Sequence, residues 1–341
     1  MLPRSPRSRD AGSRHRSALH APSREATPLN TTPSSAQTGP QIDATHRIPA
    51  GERALVLGGG GSAGNAWLIG VLAGLFDAGL DVTDADLVVG TSAGATAAAQ
   101  VTGANLPDLL AQVLDTPVPQ RPAGTSHAPA RSGPDPVETL RALIGASTDP
   151  ADYRRRISAA TRDIEAASDG SGTARWRAIV IPRLPDLRWP ERTILLTAVD
   201  ADTAEPVVFD RHSGVDLVDA VAASTSNGLG AGPYTIGDRR YLDGGYRRNE
   251  NADLAAGYRR VLVLSPLGGR TLTPLDWGQQ LATQVDELRT SGSAVETVLP
   301  DDASLAAFGD NMMNPATRPP SARAGFDQGR ALADRLASFW R

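Results

Sequence analysis

Short continuous apolar runs, separated by stretches in which apolar residues return every three or four positions, give the first outline of this chain. Arg53-Ala-Leu-Val-Leu57, the run ending at Val89, Thr193 to Val199, Pro206 to Phe209 and Arg260 to Leu264 predict strands. The last has the unbroken hydrophobicity of a strand covered on both faces. Leu68, Val71, Leu72, Leu75 and Phe76 share one face of a predicted helix that Gly79 ends. Further helices are predicted from the alanine run after Ser92, over Leu106 to Asp115, Val137 to Gly145 and Tyr153 to Ala167, and near Leu275 to Arg289. Ser213 and Asp216 read as a capping box opening another, with Leu217, Val218, Val221 and Ala222 inward. Tyr234 to Ile236 and Arg240 to Leu242 predict a hairpin, Ala294 to Leu299 a strand, and Gly325, Gly329, Leu332, Leu336 and Phe339 one face of a closing helix. Alternating strands and helices predict one α/β domain of three layers, α/β/α, around a central, mostly parallel sheet.

Two stretches break the pattern. Residues 1–50 are rich in Ser, Pro, Thr, Ala and Arg, with too little apolar surface to offset ordering entropy, and predict a disordered tail before a folded domain over 51–341. Thr116 to Pro136 is proline-rich and predicts a loop, either a lid or an insertion. Between Trp176 and Trp189 an apolar stretch is interrupted by prolines and arginines. Core packing is the favoured reading, ahead of an acyl pocket or a bilayer contact. Arg154-Arg155-Arg156 reads as a solvated helix face.

Composition then removes whole classes of chemistry. The chain has 341 residues and no Cys, and every one of its 34 basic residues is Arg. Without Cys or Lys there is no thiolate nucleophile or metal site, no disulfide, no Walker-type phosphate loop and no Ser-Lys pair. Seven Arg against three acids in residues 1–50 leave the remainder at −8 within a chain of net charge −4. That acidic body argues against nucleic acid as a partner. No apolar run approaches a membrane span and the N-terminal stretch lacks a signal-peptide core, so a cytoplasmic protein is expected.

The chemistry concentrates at three places. Gly90-Thr91-Ser92-Ala93-Gly94 has the form G-x-S-x-G where a strand turns into a helix. A serine lifted out on such a corner needs small residues two before and two after it, and the pattern predicts a nucleophile elbow rather than a capped glycine turn. Gly58 to Gly64 follows the first strand and points backbone N–H groups at one spot. Gly59, Gly61 and Gly64 also satisfy G-x-G-x-x-G, yet the second strand ends in Gly90-Thr91-Ser92 with Asp84 and Asp86 at its opposite end. A dinucleotide site wants an acid where that strand stops, so an oxyanion hole is the better reading. Asp243-Gly244-Gly245 ends the hairpin and lets another backbone or a reacting group come close, with a plain glycine turn as the alternative.

Ser92 needs a base. Of His15, His20, His46, His127 and His212, three lie in the tail and one in the proline-rich loop; His212 follows a strand and reads as a turn residue. A carboxylate is the remaining candidate, and Asp243 serves only if burial raises its pKa.

The glycine loop, the elbow and the Asp-Gly-Gly triplet, in that order between Arg53 and Leu267, resemble the patatin-like phospholipases, with residues 268–341 as a C-terminal strand-helix extension. The resemblance implies a Ser-Asp acyl hydrolase of lipid or other carboxylic esters, with no metal or cofactor. It implies Ser92 as nucleophile, Asp243 as base, the amides of Gly59, Gly60 and Gly61 as oxyanion donors, and Gly64, Gly90, Gly94, Gly244 and Gly245 as the motif glycines. An acyl-ester substrate and peripheral membrane contact follow as expected partners. Two departures stand out: Ala63 where the family often has a basic residue, and the proline-free Ser224-Thr225-Ser226-Asn227. A nucleotide-binding oxidoreductase and a non-catalytic binding protein on the same fold remain open at this stage.

Overall fold

The computed structural model describes residues 42–115, 136–230 and 232–341. Residues 1–41 of the expected tail, residues 116–135 of the expected loop, and with them His15, His20 and His127, lie outside the described residues. In chain order the elements are β1 (Gly51–Leu57), α1 (Gly61–Asp77), β2 (Leu87–Gly90), α2 (Ala93–Gly103), α3 (Leu106–Leu114), α4 (Pro136–Gly145), α5 (Pro150–Ala166) and α6 (Gly172–Val180). Then follow β3 (Thr193–Asp200), β4 (Pro206–Phe209), α7 (Leu217–Ser224), β5 (Tyr234–Ile236), β6 (Arg239–Asp243), β7 (Tyr258–Leu264), α8 (Leu281–Thr290), β8 (Ala294–Val298), α9 (Asp302–Phe308) and α10 (Arg318–Trp340).

The strands form one sheet in the order β5-β6-β3-β2-β1-β7-β8, with β4 also paired to β3. β1 pairs in parallel with β2 and β7, β2 with β3, and β7 with β8. The antiparallel pairs β3-β4, β3-β6 and β5-β6 gather at one end. Successive residues of β1 serve opposite faces. Leu55 and Leu57 join the core under α1, α2, α7 and α10, whereas Ala54 and Val56 join the one under α8. This is the central, mostly parallel sheet between helical layers that the patterning predicts.

α1 and α10 pack at backbone distance. A Cβ at Gly70 would lie 2.2 Å from the Ala322 carbonyl oxygen, and one at Gly329 would lie 2.3 Å from that of Val71. The C-terminal helix is thereby locked onto the helix that follows the glycine loop.

Several expectations change. Residues 42–50, assigned to the tail by composition, dock on β4: Ala44 N–H donates to the Val208 carbonyl at 2.8 Å, and Arg47 pairs with Asp210 at 2.9 Å. The Asp43 carboxylate also accepts from Val208 N–H at 3.0 Å, and Ile42 and Ile48 pack against the two cores, which seats a segment whose composition reads as coil. The capping box does not form, because the Ser213 hydroxyl is drawn to the Ile42 carbonyl and Asp210, leaving Asp216 as N-cap without a side-chain bond. Phe76, expected on the inner face of α1, turns outward at 43% exposure. Over the expected helix 275–289, Leu275–Trp277 is a separate 3-10 turn ended by Gly278 in the left-handed region, and α8 starts at Leu281. Among the described residues no helix is long and apolar enough to cross a membrane.

Candidate active site

β1 carries β2 on one side and β7 on the other, and the loops leaving the carboxyl ends of these strands meet there. Open α/β sheets form their ligand crevice at such a switch point. Sheet register brings the antiparallel end to the same spot: Gly90 pairs with Leu196, and Asp243 pairs with Ala198 two residues further along β3. The two residues beyond Gly90 therefore reach the level of Asp243.

Steric limits shape the corner at Ser92. Its backbone is held at φ 55° and ψ −115°, outside the regions that a serine prefers, at a cost of about 1–3 kcal/mol. A Cβ at Gly94 would lie 1.8 Å from the Leu57 carbonyl oxygen, and one at Gly90 would lie 2.7 Å from the Gly94 carbonyl oxygen. Only glycine fits either position. Thr91 N–H donates to the Leu57 carbonyl at 3.1 Å, tying the corner to the end of β1. Ser92 N–H donates to the buried Ser224 hydroxyl at 3.0 Å.

Asp243 ends β6, and its carboxylate accepts a hydrogen bond from Gly245 N–H at 2.8 Å and lies beside the Ser92 hydroxyl. Its own N–H donates to the Ser226 carbonyl at 2.7 Å. Burial pushes the carboxyl up to about 6, outweighing the lowering effect of the Ser92 hydroxyl and the Gly245 amide. No arginine is among the groups that lower it. The side chain still retains some contact with solvent, so it sits at the floor of an accessible site and not in the sealed interior.

The glycine loop runs past the serine corner. Gly59 lies against Ser92, with a Cβ there falling 3.6 Å from that of the serine. Its amide, however, donates to the Asn249 carbonyl at 2.8 Å, so the three expected free donors become two. The reason is the approach of the loop after Asp243, whose carbonyl takes the first amide. Among the described residues the amides of Gly60 and Gly61 meet no acceptor. Gly61 is left-handed at φ 62°, and Pro266 presses on Gly60 and Gly64 so closely that a Cβ would meet it at 2.5 and 3.0 Å.

Sequence reasoning missed the network beneath these loops. Asn251 is fully buried in the left-handed region, with φ 53° and ψ 38°. Its amide group donates to the Thr91 hydroxyl at 3.0 Å, the Thr197 hydroxyl at 3.3 Å, the Gly244 carbonyl at 3.2 Å and the Arg248 carbonyl at 2.7 Å. Thr197 donates in turn to Thr91 at 2.9 Å, and it stands where a Cβ at Gly244 would be 2.1 Å from its hydroxyl. One side chain thus joins the residue before Ser92 to the residue after Asp243. The available signal was an Asn among glycine-rich turns, since Asn is the commonest non-glycine residue to accept that backbone. Glu250, buried next to it, accepts from Ser265 at 2.7 Å and Gln284 at 3.1 Å, and burial raises its pKa.

Other candidates fall elsewhere. His212 lies exposed in a turn, its N–H donating to Asp210, and His46 is exposed in a 3-10 turn. Arg155 and Arg156 pair with Asp152 on the outer face of α5. The stretch after residue 175 divides: Val180 and Leu184 enter the core, while Trp176 and Ile179 line a cavity of about 380 Å³ with Thr225, Ser226 and Asn227. Ser224 and Ser226, which border that turn, are the residues that hold Ser92 and Asp243 by their backbones. Among the described residues no group of acids and histidines is placed to hold a metal ion.

A family model described as patatin-like phospholipase matches residues 55–256. No curated protein matches the chain by sequence. Among solved structures, VipD from Legionella pneumophila is similar at 13% identity and a TM-score of 0.40, over 84% of this chain and 67% of that one. The type III effector protein ExoU is similar at 17% identity and a TM-score of 0.32, over 83% of this chain. The match spans 54% of ExoU.

Proposed function

The chain belongs to the patatin-like phospholipase family, and from that premise we propose that it is a serine acyl hydrolase of lipid esters working through Ser92 and Asp243. The observation that carries the proposal is a strained, solvent-reachable serine set beside a carboxylate whose pKa burial has raised to about 6. A carboxylate at its ordinary pKa is a weak base, and a raised pKa brings it near the operating range.

In the proposed reaction Asp243 takes the Ser92 proton as the hydroxyl oxygen attacks the ester carbonyl. The tetrahedral oxyanion is met by the amides of Gly60 and Gly61, each such donor being worth about 3 kcal/mol of barrier. Asp243 returns the proton to the departing alcohol, which leaves an acyl-enzyme. The carboxylate then deprotonates a water that attacks this ester, releasing the fatty acid and restoring the Ser92 hydroxyl. The strain at Ser92 is tolerated because Gly90, Gly94 and the Ser224 contact fix the corner, so the nucleophile needs no rearrangement before attack. The cavity beside Trp176 and Ile179 is lined by Ser226, whose carbonyl accepts from Asp243 N–H, and is proposed to take the acyl chain.

Against an oxidoreductase, the end of β2 is the serine corner itself, with no acid for a ribose. Against a non-catalytic protein on the same fold, a backbone held at a cost around Ser92 has no evident use in mere binding.

The test is fluorophosphonate labelling of the full chain beside Ser92→Ala, with p-nitrophenyl butyrate turnover in parallel. Labelling and turnover that disappear with Ser92→Ala are expected. A folded wild-type chain that neither labels nor turns over would overturn the proposal.

A further inference from the structure

Sulfur is scarce in this chain, which has no Cys and three Met, and Met1 lies outside the described residues. The other two, Met312 and Met313, stand side by side in the irregular segment between α9 and α10, and both rest on the glycine loop. The Met312 carbonyl accepts the Ala63 N–H at 2.9 Å, and its Cε would lie 3.7 Å from a Cβ placed on Gly64. Met313 reaches closer to the reacting centre. Its Sδ would lie 2.7 Å from a Cβ placed on Gly61, so the thioether covers the space left open by the missing side chain.

The backbone holds that sulfur in place. Met313 N–H donates to the Asn311 side-chain oxygen at 2.9 Å, and a few residues on Arg318 donates to the Ser62 carbonyl at 3.3 Å, next to Gly61.

Exposure and neighbours set Met313 apart from Met312. Met313 is 60% exposed, so a dissolved oxidant reaches it, whereas Met312 is half-buried. Met313 also stands beside the amides of Gly60 and Gly61, which meet no acceptor among the described residues. A thioether is a weak acceptor and leaves such donors to a substrate. A sulfoxide is polar and carries an oxygen that accepts hydrogen bonds.

We propose that Met313 is an oxidation site that turns the enzyme off. A peroxide transfers one oxygen atom to Sδ: the sulfur loses two electrons, an S–O bond forms, the O–O bond breaks, and the second peroxide oxygen leaves as water with both protons. The new sulfoxide oxygen then occupies the Gly60 and Gly61 amides in place of the oxyanion. The loss of turnover rests on the acyl-hydrolase reading, whereas the oxidation and the occupied amides do not. With no Cys in the chain, no thiol of the protein intercepts the peroxide first. Methionine sulfoxide is reduced back enzymatically, which makes the block reversible.

The experiment treats the full-length wild type, Met313→Leu and Met312→Leu with hydrogen peroxide and locates the added oxygen by peptide mass. On the same samples it measures p-nitrophenyl butyrate turnover and hydrogen exchange over residues 58–64. Untreated, both variants should match the wild type, since leucine fills nearly the space of methionine. After peroxide, the wild type and Met312→Leu are expected to lose about tenfold or more in turnover, the scale of an oxyanion donor removed. Exchange at the loop amides should slow in step, and methionine sulfoxide reductases should restore both. Met313→Leu is expected to keep its turnover and its exchange. An equal loss in Met313→Leu, oxidation of Met312 ahead of Met313, or oxidised Met313 with unchanged exchange would overturn the assignment. Mass and exchange need no turnover. A chain inactive before peroxide therefore counts against the acyl-hydrolase reading alone, and slowed exchange on oxidation still supports the occupied amides.

Discussion

On the Ser92 side of the site, position is set by the backbone: two glycines, a left-handed Gly61 and carbonyl oxygens so near that a single added carbon collides with them. On the Asp243 side, position is set by side chains, with Asn251 and Thr197 spanning between the Asp-Gly-Gly turn and Thr91. The first arrangement is one of backbone clearance between the serine corner and the end of β1. The second joins segments more than 150 residues apart, and it exists only once the sheet has formed. Two mechanically different supports meet where Ser92 stands beside Asp243, and they should fail in different ways.

Adding a carbon to the sterically built side should break it outright. Gly94→Ala is expected to destabilise the domain by on the order of 4 kcal/mol or more, since no side-chain rotation relieves a backbone clash. A thermal melt and the soluble yield check this; a stable, active Gly94→Ala would mean that β1 and α2 are not held as close as described. Ser92→Ala removes the reacting group without touching the frame, so turnover should fall by roughly 10⁴-fold or more with an unchanged melt.

The other side should weaken by degrees. Asp243→Asn is expected to lower turnover by about 10³-fold while raising stability near neutral pH. Because burial raises the Asp243 pKa above its unfolded value, this group's contribution is most favourable below about pH 4 and is lost as pH rises through about 6. The variant's advantage should therefore be on the order of 2 kcal/mol at pH 7 and vanish toward pH 4. Melts across that range test the sign; a variant less stable than wild type at pH 7 contradicts it. Asn251→Ala leaves several buried acceptors unpaired and should cost about 2–4 kcal/mol with a roughly 10- to 100-fold loss of turnover. Thr197→Val deletes one branch of the network, and only a few-fold loss of turnover is expected, at about 1 kcal/mol.

The same contrast explains what could be read beforehand. The elbow was legible because G-x-S-x-G encodes its own steric requirement, and the strands because period and run length need no partner. The α1-α10 contact left a trace in Gly325 and Gly329, placed on one face before their purpose was visible. Asn251 and Thr197 carried no comparable signal, since a buried polar residue looks like a surface one until its partners are known. The amide of Gly59 was assigned to the oxyanion because its competitor, the Asn249 carbonyl, arrives from nearly 200 residues away. Residues 42–50 were read as coil because the contacts that seat them, from Asp43 and Ile42 to Val208 and Ser213, come from partners far along the chain that composition does not register.

The central claim is that Asp243 is the base for Ser92, and the pH dependence of fluorophosphonate labelling tests it most directly. In the wild-type chain the labelling rate should rise tenfold per pH unit at low pH and level off above about 6, the value to which burial brings the carboxyl. In Asp243→Asn the rate should be low and without that inflection. An inflection that persists in the variant would assign the proton to another group and contradict the account.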